Sequence, residues 1–391
     1  MFSRRMLSAD VLLVGGGIVG ASVAYFLRAL GFTGRIVLVE RDFAFLWGST
    51  RHSMGGIRRC FLSQVNVRLA QFGHEVYRDI DRYLPFDEGA DAPPFRPVGY
   101  LLLADGRNWS VLHAMHSRLR TWGLVPEWVG REALPQLLGW EPEESIVGGL
   151  YCPGDGVLDV PRVHAALYRK LKELEVEAVQ AEVERVLVEG GRLVGVEAVL
   201  VGERARVRWK VPRVVLAAGA WSPKLAAAAG EHLPVESRRR AVYSFAFERN
   251  EAAKSLPPLP FLLFPGGEMA VLRGEELLLS VPAGHAREEE AALAVLRRLG
   301  PYGHGTRLLS GRTAVHDVHV RDYSPIVGPC PRAEGLWVAA GFGTYGVGLA
   351  PAVGFGLAER ILGRRRETLP LDFLTPSRIM RAAWVEEALL S

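Results

Sequence analysis

Gly15-x-Gly17-x-x-Gly20 follows directly on the apolar run Asp10–Val14, and Glu40 ends a second apolar run, Ile36–Val39. These residue types at this spacing suit the binding of a dinucleotide. The first glycine permits a tight turn, and the second lets backbone approach a pyrophosphate. The third lets the following helix pack close to the strand. A helix opening at Ile18 and Val19 turns its N-terminal amides toward the phosphates. Glu40, with Arg41 beside it, is placed to hold the ribose hydroxyls. The glycine turn alone serves FAD and NAD equally.

Two later segments carry the same texture. Val214–Leu216 runs into Ala217-Ala218-Gly219-Ala220-Trp221, as a second chain crossing beside a bound nucleotide would. Gly341-Phe342-Gly343-Thr344-Tyr345-Gly346 opens the last long helical segment. Its backbone amides and helix dipole suit negative charge on a reduced flavin ring. These two segments favour FAD over NAD.

The elements that must position these residues are legible as an alternation. Asp10–Val14, Ile36–Val39, Arg213–Leu216 and Leu336–Ala340 read as buried parallel strands, apolar without a period of two. Ile18–Leu30 and the segment up to Ile361 read as helices, and Asp159-Val160-Pro161 as a helix start with proline in its first turn. Val183–Val188 and Leu193–Leu200 flank the turn Gly190-Gly191. Alternating apolar residues from Arg238 to Leu279, broken by Gly and Pro, predict an antiparallel sheet. The expected fold is α/β (α+β), a Rossmann-like FAD-binding domain with an inserted, mainly antiparallel substrate domain. Residues 1–88, 148–230 and 310–391 are expected to form the first, and 89–147 and 231–309 the second.

The bulk numbers narrow the class. With 391 residues, 49% of them hydrophobic, the chain can bury a large core in two domains. A net charge of +4 is spread along the chain. The basic triplets Arg238–Arg240 and Arg364–Arg366 read as solvated faces, and no nucleic-acid partner is expected. Val11–Leu27 is uncharged but too short, and too rich in glycine, for a membrane span. MFSRRMLSAD has no apolar signal-peptide core. Cys60, Cys152 and Cys330, an odd set without a CxxC, argue against a disulfide framework or a zinc site. The expected place is the cytoplasm, free or peripheral at the inner membrane face. Scarce Asn and Gln beside abundant Arg and Glu fit a thermophile. His316 and His319 would point to opposite faces of a strand, and His113 and His116 lack a third ligand, so no metal is expected.

The ordered set of motifs resembles the D-amino-acid-oxidase-like superfamily of FAD enzymes, and the resemblance covers nearly the whole chain. Gly48-Ser49-Thr50-Arg51-His52-Ser53-Met54-Gly55-Gly56-Ile57-Arg58 is similar to the family's Gly-Ser-Ser/Thr segment running to an Ile-Arg pair. Gly149-Leu150-Tyr151, Asp155-Gly156 and Asp322-x-x-Pro325-Ile326-Val327-Gly328 also match. The Gly-Gly-Ile-Arg segment is most like sarcosine oxidases and the β subunits of archaeal proline dehydrogenases. The resemblance implies FAD along these motifs, with Ser49, Thr50 and Val183 added to the cofactor wall. It implies two-electron oxidation of a C–N bond in a small amino acid or amine. Arg58 matches the Ile-Arg position and is the expected carboxylate anchor. Arg51 is a second candidate, and His52 a candidate for proton transfer.

Three departures bear on the chemistry. Val315 stands where some members attach the flavin through Cys, so non-covalent FAD is expected. Asp317 shares a strand face with Val315 and suits a cationic group. Leu278 and Gly348 stand where some sarcosine oxidases carry Lys, which favours a dehydrogenase over an oxidase. The acceptor stays open among oxygen, a quinone and a partner subunit, as does homo- or hetero-oligomerisation. A 2-hydroxy-acid dehydrogenase, with His52 or His316 as base, and a flavin-bearing subunit or assembly protein inactive without its partner are the alternatives.

Overall fold

The computed structural model describes residues 5–86, 93–248, 255–283, 287–364, 368–385 and 387. The boundary expected at 88–89, the first four residues, Asn250, and Arg365 and Arg366 lie outside the described residues.

Val11–Val14 is a central strand of a nine-stranded sheet. It runs parallel to Ile36–Glu40 on one side and to Val214–Leu216 on the other, with Leu12 opposite both Val37 and Val214. Both faces are covered and all four residues are buried, which explains the apolar run without alternation. Leu336–Ala340 continues the parallel order, and Ile326–Pro329 returns antiparallel at the edge. On the far side Glu177–Glu189 pairs parallel with Ile36–Glu40 and turns back into Arg192–Leu200.

Helix Ile18–Ala29 leaves the glycine turn and packs against the last long helix, Gly346–Ile361. The two approach so closely at Gly354 that a Cβ there would lie 2.7 Å from the carbonyl carbon of Ser22. Helix Val160–Glu173 starts where its sequence predicts, with Asp159 accepting a hydrogen bond from the Arg162 amide at 3.2 Å.

An eight-stranded sheet forms the second layer, in the order Arg307–His319, Val235–Ala246, Glu276–Pro282, Met269–Arg273, Phe261–Leu263, Tyr100–Asp105, Ile146–Cys152 and Glu127–Gly130. It is antiparallel except where Phe261–Leu263 runs parallel to Tyr100–Asp105. The α/β fold with a mainly antiparallel second sheet is as expected. The boundaries expected at 148 and 310 fall inside Ile146–Cys152 and Arg307–His319, so those strands join the second sheet along their full length. A strand ends where its ladder ends, and composition does not mark that point.

The expectation from the cysteines is overturned. Cys60 and Cys152 form a disulfide across a separation of 92 residues, and Cys330 is buried and free. An odd count conceals a pair when one cysteine is a core residue. The cysteines therefore lend no support to a reducing compartment. No helix among the described residues is long and apolar enough to cross a membrane.

The close crossing of the two long helices gives a first prediction. Gly354→Ala should cost roughly 1–3 kcal/mol in equilibrium unfolding, because the nearest atoms are backbone that cannot swing aside. Unfolding curves that superimpose on the wild type would show that the helices have room to part.

Candidate active site

A cleft of about 400 Å³ runs past the ends of the parallel strands. The glycine turn supplies Gly15, Gly17, Ile18 and Val19 to its wall. Gly15 has φ +103°, and a Cβ there would sit 2.4 Å from the Ala217 carbonyl oxygen. Gly20 does not line the cleft. Its lack of a side chain serves the fold, since a Cβ would lie 2.0 Å from the Gly15 oxygen. Helix Ile18–Ala29 has no acid in its first turn, and its positive end faces the cleft beside the Thr50 hydroxyl and the Glu40 carboxylate.

Glu40 and Arg41 come next along the wall. Glu40 accepts from the amides of Gly16 at 2.8 Å and Asp42 at 2.9 Å. The Arg41 guanidinium lies 3.8 Å over the Trp221 ring, giving this end a flat, cationic side. Ser49, Thr50 and Val183 line the cleft as the motifs imply. Thr50 Oγ1 accepts from the Ile18 amide at 3.1 Å. Ala218, Gly219, Trp221, Gly343, Thr344 and Gly346 also line the cleft. A Cβ on Gly219 or Gly343 would meet nothing within 4 Å, so these turns leave a cradle open to a ligand. A helix N-terminus, two open glycine turns and an acid at the strand end fit the adenine, ribose and pyrophosphate of a dinucleotide.

Asp317 lines the same cleft, and its carboxylate is directed at backbone. It accepts from the amides of Gly341 at 2.6 Å and Phe342 at 3.3 Å, while its carbonyl accepts from Gly343 at 2.7 Å. Gly341 lies behind the wall, where it takes part in this clamp. The Asp317 carboxyl is buried, which raises its pKa to about 6 against the opposing pull of the amides.

A second, smaller cavity of about 60 Å³ shares Ser53, His316 and Thr344 with the cleft and lies among both sheets. Arg58, His52 and Tyr345 line it, so Tyr345 belongs here and not to the cofactor wall. Arg58 is 6% exposed, and its Nη1 has no partner within the protein. Its guanidinium lies 4.7 Å from the Phe61 ring and 5.0 Å from the Tyr345 ring. His52 Nε2 lies 2.8 Å from the Leu46 carbonyl oxygen. A carbonyl only accepts, so Nε2 carries the proton and Nδ1, unpartnered and buried, keeps its lone pair. His316 Nδ1 makes the same kind of bond to the Gly343 carbonyl at 3.0 Å. Burial lowers both imidazoles, His316 to about 4, so both are neutral at neutral pH.

Arg51 lines neither cavity. It is exposed and donates to the Ala44 carbonyl at 2.6 Å. Sequence reasoning missed Arg240, Tyr100 and Phe261, which line the small cavity. Arg240 was hidden in a triplet read as solvated. The signal was the period of two, since Arg240 and Val242 line the cavity while Arg239 is exposed.

Among the described residues the one close group of His, Cys and acid side chains is Cys60, Cys152 and Asp155. Its sulfurs are joined to each other, and Asp155 accepts from Arg59 Nε at 2.6 Å. Val315 turns its carbonyl to the Ser49 hydroxyl, and Leu278 is buried in the core beside the cavity.

Residues 10–360 match the family model described as FAD dependent oxidoreductase. The chain belongs to this family. It is 29% identical over 413 residues to FAD-dependent oxidoreductase domain-containing protein 1 of Bos taurus, covering 93% of this chain and 83% of that one. It is 26% identical to the glycine oxidase of Pseudomonas aeruginosa, covering 95% and 100% of the two chains. Among solved structures, the L-proline dehydrogenase from P. horikoshii superposes with a TM-score of 0.82 at 20% identity, covering 97% and 99%. FAD is the cofactor the family implies, and the cleft fits it.

The Asp317 clamp of this FAD-family site gives a second prediction. A carboxyl raised in the folded state holds its proton more tightly folded than unfolded. Its contribution to stability is therefore full below its ordinary value of 3.8 and is lost as the pH climbs through about 6. The loss is at most roughly 3 kcal/mol. Unfolding measured from pH 4 to 7.5 should show this step in the wild type and not in Asp317→Asn. Parallel pH curves for the two proteins would mean that Asp317 titrates normally.

Proposed function

We propose that this chain binds FAD non-covalently and oxidises the C–N bond of a small amino acid or secondary amine, acting as a dehydrogenase. The observation that carries this reading is the buried Arg58, with an unpartnered Nη1, in a cavity that shares Ser53, His316 and Thr344 with the cleft. A buried guanidinium whose Nη1 has no partner in the chain, lining a cavity, suits a ligand carboxylate. The names of the relatives support it, since glycine and proline are small amines that carry a carboxylate.

FAD, when bound, supplies the two-electron acceptor: a hydride leaves the substrate carbon, a proton leaves its nitrogen, and water cleaves the resulting imine. The chain's own residues prepare that step. Arg58 fixes the carboxylate and so the position of the neighbouring carbon. Phe61 and Tyr345 pack against its guanidinium and, with Phe261, keep water scarce around it. An amine must be neutral to release a hydride. His52 Nδ1 and His316 Nε2 offer lone pairs on neutral rings to receive the amine's proton. The N-terminus of helix Gly346–Ile361 opens on the cleft with no acid in its first turn, which favours added negative charge there.

Two features support the finer parts of the reading. Gly348 lines the small cavity where some oxidases carry Lys, and among the described residues no lysine lines that cavity. This favours an acceptor other than oxygen, a quinone or a partner subunit. Non-covalent attachment is supported by the state of the cysteines, two joined to each other and one in the core.

The test is an anaerobic titration of the purified protein, followed by its visible spectrum. Sarcosine, proline, glycine and dimethylglycine should be compared with 2-hydroxyglutarate, and air readmitted at the end. Bleaching by an amine with slow recovery in air is the expected result. Absence of flavin after reconstitution, or bleaching by the hydroxy acid alone, overturns the reading. Arg58→Met should retain FAD while kcat/KM for the bleaching amine falls by a factor of ~30 or more, the loss of a buried charge pair. A change of less than threefold would remove Arg58 from the site.

A further inference from the structure

The small cavity holds two guanidinium groups, although one carboxylate requires only one. Arg240, from strand Val235–Ala246, lines it together with Arg58. Tyr100 lines the same cavity, with the Arg58 guanidinium 6.0 Å from its ring. Arg240 is held in a fixed orientation: Nε donates to Ser280 Oγ at 3.1 Å, and Nη2 donates to the Gly267 carbonyl. Neither bond uses Nη1. The next residues back along the strand, Arg239 and Arg238, are exposed, so only this member of the triplet turns inward.

Among the described residues no Asp or Glu lines the cavity. The acids whose charge reaches the two arginines lie outside it. Glu268 acts on Arg240 from behind the lining and also lies 3.5 Å from Arg298 Nη1. Glu387 accepts from the Leu62 amide at 2.6 Å, from Ser63 Oγ at 3.0 Å and from Asn66 Nδ2 at 3.0 Å. His52 and His316, which also line the cavity, are neutral. A small amino acid in its reactive form has a neutral amine and one carboxylate. It therefore brings one negative charge to a cavity with two buried cations. Arg240 would then face the cavity largely desolvated and with no ligand group to pair with, since Glu268, whose charge acts on it, lies outside the lining. The lining also includes apolar Val242, Leu263 and Met269, which can cover methylene groups.

We propose that the substrate is an amine with two carboxylates, one held by Arg58 and the other by Arg240. This rests on the amine-oxidising reading above and narrows it to dicarboxylic amino acids. Arg240 becomes the residue that selects for the second acid group.

The experiment is calorimetric binding of unreactive acids to the FAD-loaded protein. Succinate and glutarate are compared with propionate and butyrate, on the wild type, Arg240→Gln and Arg240→Lys. One diacid should bind the wild type ~30-fold or more tightly than the matching monoacid, as expected for one further buried charge pair. Arg240→Gln should erase that ratio, and Arg240→Lys should keep part of it, since the charge remains and the two-pronged contact is lost. FAD content and unfolding midpoint report whether each variant is intact. Equal binding of diacids and monoacids overturns the inference, as does a ratio that survives in an intact Arg240→Gln. A parallel anaerobic titration with N-methylaspartate and sarcosine separates the two readings. Equal bleaching by both retains amine oxidation and overturns the diacid preference. A diacid preference in calorimetry without bleaching by any amine retains the two-arginine site and overturns amine oxidation.

Discussion

The turn at Gly15–Gly17 is the constraint on which the remaining structure depends. It has no space for side chains because other parts of the chain already fill that space. A Cβ on Gly16 would lie 2.1 Å from the Tyr168 hydroxyl, and one on Gly15 would strike the Ala217 carbonyl. His164 Nε2 and Tyr168 Oη both donate to the Gly16 carbonyl, at 2.9 and 2.8 Å, and Glu40 accepts from the Gly16 amide. Burial lowers His164 to about 4, so it is a neutral donor that adds no charge beside a phosphate site. Residues far apart in sequence thus fix one turn. The turn in turn fixes where helix Ile18–Ala29 begins and where its positive end points.

The substrate side is attached to this frame through one long ladder. Val235–Ala246 pairs antiparallel with Arg307–His319, with Arg240 opposite Ala314 and Arg238 opposite His316. The second strand then reaches across to the nine-stranded sheet. Its Asp317 clamps the Gly341–Gly343 turn, and its His316 ring bonds to Gly343. The same few residues therefore bound the small cavity and hold the turn of the cofactor cleft. A shift of the ladder by one residue would exchange the faces of Arg240, His316 and Asp317 together. The disulfide between Cys60 and Cys152 ties the Arg58 segment to the second sheet from the opposite side.

How far the molecule was legible follows from whether each feature is local. The glycine turns could be read because phosphate binding uses consecutive backbone amides, and a handful of neighbouring residues carries the whole pattern. The parallel strands could be read because burial on both faces leaves an unbroken apolar run. The small cavity has no such run. Arg58, Tyr100, Arg240, Phe261, His316 and Tyr345 come from six separate segments. Of these six only Arg58 and Tyr345 sat in the quoted motifs, and Tyr345 was assigned to the neighbouring wall. Arg51, two residues from the cleft-lining Ser49, carries no mark in its sequence that it faces solvent. Asp317 lines the cleft, but its carboxylate is taken up by amides of the Gly341 turn, which the sequence could not bring to it. The cysteine pair failed for the same reason, since its two members meet only through the folded second sheet.

Native interiors satisfy nearly all of their buried polar groups. Here Arg58 Nη1 and His52 Nδ1 are both buried, both without a partner in the protein, and both line one cavity. One is a donor on a permanent cation and the other an acceptor on a neutral ring, so they do not share a single explanation such as a missing anion. A ligand with an anionic end and a hydrogen-bearing nitrogen would satisfy both at once. Each group carries a desolvation cost that no partner in the chain offsets, and such a ligand would remove it. The specificity of this cavity therefore lies in what the chain leaves unpaired as much as in what it packs.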